Sequence, residues 1–335
     1  MASPSDDPSP WCIVQCDGDR AHLGSLTRAG SYQTPIQFCS VGEPTMLARR
    51  AAERARRICS GSRLYVTVAE AHRRWWSAAF WAIPHQRRVV DALTGRQTIT
   101  LAAAAVAIER AAPDALVVVI PADAFCGDEW AFRCGVRSAI SALERLPGHL
   151  IALAVNTSRT DENHDYLMLG PPDGLPGRAA LRCVKRPSPV VERHLVALGA
   201  CANSGVYVAR VATLTMVLGN LWPNLLESVR RIVDSKTGEV EIPARLAGAE
   251  FLQPWRHTWL QRPIPRLRAL PMAGGEWSSL GSLSAIERLA ASCTEFPAPP
   301  RPDTPDLLAR YRESHSEAAG NNVPRVRAVP QVIRD

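Results

Sequence analysis

From residue 11 to about residue 221, short apolar runs alternate with stretches whose apolar positions recur at helical spacing. Residues 11–15 (WCIVQ), 63–68 (RLYVTV), 89–93, 116–120 and 149–155 are apolar with little in–out alternation, the mark of strands covered on both faces. Between them lie helical patterns. Residues 44–59 place Met46, Leu47, Ala51, Ala55 and Ile58 on one face, and residues 69–80 are rich in tryptophan. Residues 98–112 are so poor in polar side chains that the helix is expected to be buried against a sheet, and residues 128–146 form a fourth helix. Further on, strands are predicted at 178–184 and 205–210, and helices at 189–198 and 211–221. Strands alternating with helices predict an α/β chain with a Rossmann-like, mostly parallel central sheet and flanking helices. That body spans residues 11–292. Residues 1–10 form a disordered lead, and residues 293–335 a Pro- and Arg-rich tail with at most a helical turn or two at 306–311.

The run at 116–120 ends on Pro121, which has no N–H for the ladder and is expected to end pairing. Asp123 then sits just past the carboxyl end of a central strand, where open α/β sheets bind ligands. A carboxylate there suits a divalent cation holding phosphates. It equally suits a loop residue or the N-cap of the next helix.

Composition adds little. The 335 residues are 46% hydrophobic and 21% charged, with a net charge of +7, as in a globular chain that tolerates anionic ligands. The nine cysteines form no CxxC pair and no zinc-like cluster, so a reducing cytoplasm is the expected setting. The acidic, Pro/Ser-rich start is not a secretory signal, and no apolar stretch is long enough to span a membrane. Trp75, Trp76 and Trp81 beside Arg73, Arg74, Arg87 and Arg88 fit a stacking platform for nucleic acid or, more simply, a helix with one buried and one solvated face. Nucleic acid is not an expected partner.

The order of several short motifs is more telling. A turn at 16–24 leads to Leu26-Thr27-Arg28, then Pro35-Ile36-Gln37-Phe38, Gly95-Arg96-Gln97-Thr98, Pro121-Ala122-Asp123, Asp165-Tyr166, Val184-Lys185-Arg186-Pro187, Ala202-Asn203-Ser204-Gly205 and Glu276-Trp277-Ser278-Ser279-Leu280-Gly281-Ser282. In order and approximate spacing over residues 11–290, this series resembles the mannose-1-phosphate guanylyltransferases among the sugar nucleotidyltransferases, whose pattern runs GGxGTRLWPLSR, PKQF, GRNTAPA, LPADH, GYGYI, VEKP, WNSG and GWSDVGSW.

The resemblance implies GTP and a sugar 1-phosphate as ligands, a magnesium ion bridging the phosphates, and in-line attack on the α-phosphorus with loss of pyrophosphate. It places Gly18, Arg96, Gln97, Thr98 and Ala122 at the nucleotide. Asp165, Tyr166, Arg186, Asn203, Ser204 and Gly205 would meet the sugar phosphate, and Asp123 the metal. Several family positions are replaced. GGxGTR becomes Asp17-Gly18-Asp19-Arg20-Ala21-His22, so His22 stands for the catalytic arginine, with Arg20 as a stand-in after a local shift. The phosphate-binding lysine of PKQF is Ile36, the glutamate of VEKP is Lys185, and the second metal carboxylate is Ser279. From the residues alone, Asn203 and Gly205 can equally be a tight turn, and Arg96 a solvated helix end.

Three readings follow. The chain is a guanylyltransferase-like enzyme with a rebuilt phosphate site; or an inactive homologue that binds or regulates, paired with an active paralogue or with itself; or a sugar-nucleotide binder that kept only the sugar pocket.

Overall fold

A computed structural model describes residues 9–18, 23–29, 32–155, 164–235, 238–246, 266–272, 277–292 and 304–320. In chain order the strands are β1 (Trp11–Gln15), β2 (Arg28–Ala29), β3 (Tyr32–Gln33), β4 (Leu64–Ala69), β5 (Arg88–Asp91), β6 (Leu116–Pro121) and β7 (Ala124–Cys126). They continue with β8 (Leu150–Val155), β9 (Tyr166–Leu169), β10 (Arg178–Val184), β11 (Cys201–Arg210), β12 (Val240–Ile242), β13 (Leu267–Met272) and β14 (Trp277–Ser279). The helices are α1 (Leu47–Arg56), α2 (Arg73–Ala79), α3 (Gln97–Ala111), α4 (Glu129–Arg145), α5 (Pro189–Ala197), α6 (Val211–Leu221), α7 (Pro223–Asp234), α8 (Leu283–Ser292) and α9 (Leu307–Gly320).

The main sheet runs β12-β5-β4-β1-β6-β11-β8-β13-β10-β9. From β12 to β6 every neighbour is parallel, as the alternating pattern predicts. The expectation of a mostly parallel sheet fails beyond β6. There β11 is antiparallel to both β6 and β8, and β10 is antiparallel to β13 and β9. Strand β9 also pairs with β11, so β11, β8, β13, β10 and β9 close into a ring of five strands. Adjacent antiparallel strands such as β9 and β10 need only a short connection, not a crossover helix. Closing the ring also pairs what would otherwise be a bare edge.

The β-branched run of β6 shows why this strand is central. Val117 and Val119 join the layer formed by α3, α6 and α7, whereas Val118 and Ile120 join the layer of α1 and α4. All four are at most 1% exposed. At roughly 1.5–3 kcal/mol per fully buried aliphatic side chain, β6 alone contributes several kcal/mol of gross hydrophobic stabilisation. Helix α3 has no solvated face over most of its length, because Thr98 to Val106 are all buried between the sheet and α6 and α7.

A third, smaller core lies over the carboxyl ends of β1 and β6. Leu26, Ile36, Val41, Leu47, Phe125 and Leu280 meet Ile286 and Leu289 of α8 and Leu307 and Leu308 of α9. The tail expected to be largely disordered thus supplies a helix well beyond the two turns predicted. Its N-cap is Asp306, whose Oδ1 accepts from the Ala309 amide at 2.9 Å. Ser40 Oγ donates to the same carboxylate at 2.9 Å, and residues 40 and 306 form a parallel bridge. No helix among the described residues is long and apolar enough to cross a membrane.

Candidate functional site

The site candidates gather where β1 and β6 end side by side. The ladder runs one residue further than predicted: Pro121 stays in register with Gln15, and Ala122 donates its amide to the Gln15 carbonyl at 3.0 Å. Past β1 the chain turns at Asp17, whose carboxylate is fully buried and accepts from Thr67 Oγ1 at 2.8 Å and Thr100 Oγ1 at 2.7 Å. Burial pushes its pKa up to about 6, more than those two hydroxyls pull it down. The Asp17 carbonyl also accepts from the Gly95 amide at 3.1 Å, which ties this turn to the start of α3.

Gly18 is braced by glutamines. Gln37 Nε2 donates to the carbonyls of Gly18 at 2.8 Å and Cys16 at 3.2 Å, and Gln15 Nε2 donates to the Gln97 carbonyl at 3.2 Å. A Cβ on Gly18 would stand 2.9 Å from Gln97 Nε2, so the predicted neighbours Gly18 and Gln97 do come together. Arg20 and His22, the two candidates for the catalytic arginine, lie outside the described residues.

Arg96, expected to meet an anion, is turned inward and fully buried. Its guanidinium pairs with the Asp91 carboxylate through Nε at 2.9 Å and through Nη2, while Nη1 donates to the Leu246 carbonyl at 2.7 Å and Nη2 to that of Pro243 at 3.3 Å. This is a structural ion pair that anchors the entry to α3. Thr98 is also fully buried.

Asp123 lies between β6 and β7, half-buried, and its carbonyl accepts from the Leu280 amide at 3.3 Å. Strand β14 pairs with β7 so that Ser279 stands opposite Ala124. The two positions expected to share a metal are therefore adjacent. The N-cap alternative for Asp123 is excluded, because Asp128 caps α4 by accepting from the amides of Trp130 and Ala131. Sequence reasoning missed what locks β14 in place. Trp277 stacks on Phe132 at 5.6 Å and donates its indole N–H to the Ser204 carbonyl at 3.0 Å. The Arg54 guanidinium lies 5.5 Å from both rings and pairs with Glu129 at 2.9 Å.

The remaining predicted residues sit on the ring. Around Asn203 to Tyr207 the β11–β8 register shifts, and Gly205 has φ +79°. Asn203 Nδ2 donates to the Tyr207 hydroxyl at 2.6 Å, and its Oδ1 accepts from the Gly205 amide at 3.1 Å. Ser204 Oγ donates to the Leu153 carbonyl at 2.7 Å and accepts from the Val206 amide at 3.0 Å. The motif is therefore not the turn the residues allowed: it is an irregularity inside the continuous strand β11, held by these hydrogen bonds. Asp165 accepts from the Asn203 amide at its carbonyl at 2.8 Å, and the buried Tyr166 hydroxyl donates to Glu192. Arg186, exposed just beyond β10, has φ +37°, a strained conformation for a residue with a Cβ.

No protein-family model matches the chain. It is 25% identical over 304 residues to the mannose-1-phosphate guanylyltransferase of Escherichia coli (strain K12), an alignment covering 84% of this chain but 60% of that protein. A Thermus thermophilus protein named as a mannose-1-phosphate geranyltransferase superposes with a TM-score of 0.68 at 21% identity, covering 83% of this chain and 78% of the other. A Helicobacter pylori mannose-6-phosphate isomerase superposes with a TM-score of 0.61 at 16% identity, covering 80% of this chain and 99% of the other. The chain is similar in sequence to that guanylyltransferase, and it shares its α/β fold with these solved structures. It spans about 60% of the length of the curated relative it matches.

The metal implied by this relationship can be tested against the donors in place. Magnesium in such a site is held by one or two carboxylates together with the substrate phosphates, and a neutral hydroxyl is a far poorer ligand. This chain offers Asp123, with a serine beside it at 279. The nearby Asp17 carboxylate faces two threonine hydroxyls instead. Among the described residues, no group of three or more histidines, cysteines or carboxylates converges. Among the described residues, the donors at this corner are one carboxylate and one hydroxyl, which do not fit a two-carboxylate magnesium site.

Proposed function

We propose that this chain is a non-catalytic homologue of the sugar nucleotidyltransferases, which binds GTP or a sugar 1-phosphate at the carboxyl ends of β1 and β6 and serves as a binding or regulatory module beside an active paralogue. The observation that carries this reading is the β7–β14 ladder. It holds residue 279 against the Asp123 corner, yet the side chain delivered there is a serine hydroxyl. The scaffold of the corner is kept by the Trp277, Phe132 and Arg54 stack while the second charge is gone. Phosphoryl transfer depends on neutralising charge as it develops on phosphate oxygens, and losing one metal carboxylate removes much of that capacity.

The test separates binding from turnover. Calorimetric titration with GTP, with and without magnesium, is expected to show binding. Pyrophosphate release with GTP and mannose 1-phosphate is expected to stay at the buffer rate. Turnover that disappears in Asp123→Ala would refute the proposal. Ser279→Asp, which restores the second carboxylate, is expected to tighten Mn2+ binding by tenfold or more, read by the loss of the free Mn2+ resonance signal.

A further inference from the structure

Two buried cysteines meet in the layer between β1 and α1. Cys12 lies in β1, in register with Leu64 on one side and Val118 on the other, and Cys59 follows the end of α1. Both belong to the same core as Ala51, Ala52 and Ala55 of that helix. Cys12 Sγ stands 3.8 Å from the Ala55 carbonyl, and the Cys59 amide donates to that same oxygen at 2.9 Å. One backbone oxygen therefore holds both residues, and their side chains share a hydrogen bond. The two thiols differ in access. Cys12 is fully buried, whereas Cys59 is 5% exposed and flanked in sequence by the exposed Arg56, Arg57, Gly61 and Ser62. They differ in acidity too. Burial pushes the Cys12 thiol up, as it does those of Cys16, Cys39, Cys126 and Cys201. The Cys59 thiol is drawn down, first by the hydrogen bond with Cys12 and further by backbone donors and Arg56, against the effect of burial.

The geometry points to Cys12 and Cys59 as a modification site, a dithiol that a hydroperoxide converts into an intramolecular disulfide. Thiols already in contact can close to a disulfide, where a pair pointing apart could not. Cys59 reacts first, because the thiolate is the nucleophile and this thiol has both the access and the hydrogen-bond partner that favour it. Its sulfur takes one oxygen of hydrogen peroxide, the O–O bond breaks, and the other oxygen leaves as hydroxide, giving a sulfenic acid. Cys12 then attacks the Cys59 sulfur. The S–S bond forms, the S–O bond breaks, and the Cys12 proton leaves with the hydroxyl as water. The net change oxidises two thiols, reduces one peroxide and yields two waters. Cys12, with no solvent access, serves as the resolving partner and not as the point of attack. The product ties β1 to the segment between α1 and β4, and in a reducing setting such a bond is transient and redox-sensing.

The experiment oxidises the full-length native protein with a small excess of hydrogen peroxide, blocks the remaining thiols with iodoacetamide, and maps peptides by mass spectrometry without reduction. A peptide pair joining residues 12 and 59 is expected, lighter than the two thiol peptides by two hydrogens and separated by dithiothreitol. It should form at least about tenfold faster than Cys39 is oxidised, since burial pushes that thiol up to about 12. Dimedone, which traps sulfenic acids, should label Cys59 in Cys12→Ser, where the resolving thiol is gone. Cys59→Ser should abolish the cross-link and leave Cys12 unoxidised. The main test uses wild type, so a variant that misfolds does not decide it. Absence of the 12–59 peptide pair from the folded wild type, or its appearance only in urea, would overturn the assignment. An unlabelled Cys59 in a folded Cys12→Ser, or a labelled Cys12 in a folded Cys59→Ser, would overturn the order of attack.

Discussion

Replacing Asp17 by asparagine is expected to stabilise this protein, and to do so increasingly as pH rises. The carboxylate is fully buried, and the side chains that donate to it, Thr67 and Thr100, are neutral hydroxyls. Its pKa rises from the ordinary 3.8 to about 6, with burial as the largest cause. Because the folded-state pKa is the higher one, the folded protein holds a proton that the unfolded chain has already released between about pH 4 and pH 6. Stability from this group is therefore greatest at low pH, falls through that window, and is flat above it. At about 1.4 kcal/mol per pH unit, the full cost of the buried charge is about 3 kcal/mol, and about half of that is felt near pH 5. Asparagine keeps the shape and can still bond both threonines. Its Oδ1 accepts from one hydroxyl, and its Nδ2 donates to the other, which can turn to accept. Urea unfolding of wild type and Asp17→Asn at about pH 5 and about pH 8 is the assay, with the difference expected to grow from about 1.5 to about 3 kcal/mol. A variant less stable than wild type at the higher pH, or a gain independent of pH, would refute the reasoning.

The buried Asp91–Arg96 pair gives the opposite prediction. Asp91→Asn leaves the guanidinium buried without its counter-charge and should cost about 3–5 kcal/mol in urea unfolding, and Asp91→Leu with Arg96→Met should recover much of it. Two glycines should differ sharply on substitution by alanine. In Gly177→Ala the new Cβ would stand 2.5 Å from the Ala269 carbonyl oxygen at φ +63°, so strain and crowding of backbone should destabilise the five-strand ring by about 3 kcal/mol. Gly18→Ala meets only the end of the Gln97 side chain at 2.9 Å, which can swing aside, so its thermal midpoint should stay within a few degrees of wild type.

What could be read from the sequence and what could not divide along a physical line. Strands β1, β4 and β6 and helix α3 were legible because their burial is written into contiguous residues: four β-branched side chains in a row can only be covered on both faces. The five-strand ring was not, because β10 mixes exposed, half-buried and buried positions and its closure depends on β9 pairing with β11 through Leu167 and Tyr166, about 35 residues away in sequence. The same line runs through the candidate site. Motif order identified Asp123 and Ser279 as partners, and the β7–β14 ladder makes them neighbours. Motif order could not show that Arg96 is neutralised by a carboxylate five residues earlier, since a lone arginine at a helix start looks the same whether it faces an anion or Asp91. Nor could it show that Arg54, in sequence one more arginine of an arginine-rich helix, is 1% exposed between Phe132, Trp277 and Glu129. Both cases concern charges, whose role depends on partners distant in sequence or hidden by folding, whereas an apolar run carries its own instruction. The consequence for function is specific. Under the proposed function, the β7–β14 ladder sets a hydroxyl where a second carboxylate is expected, and Ser279→Asp is the smallest change that tests that reading.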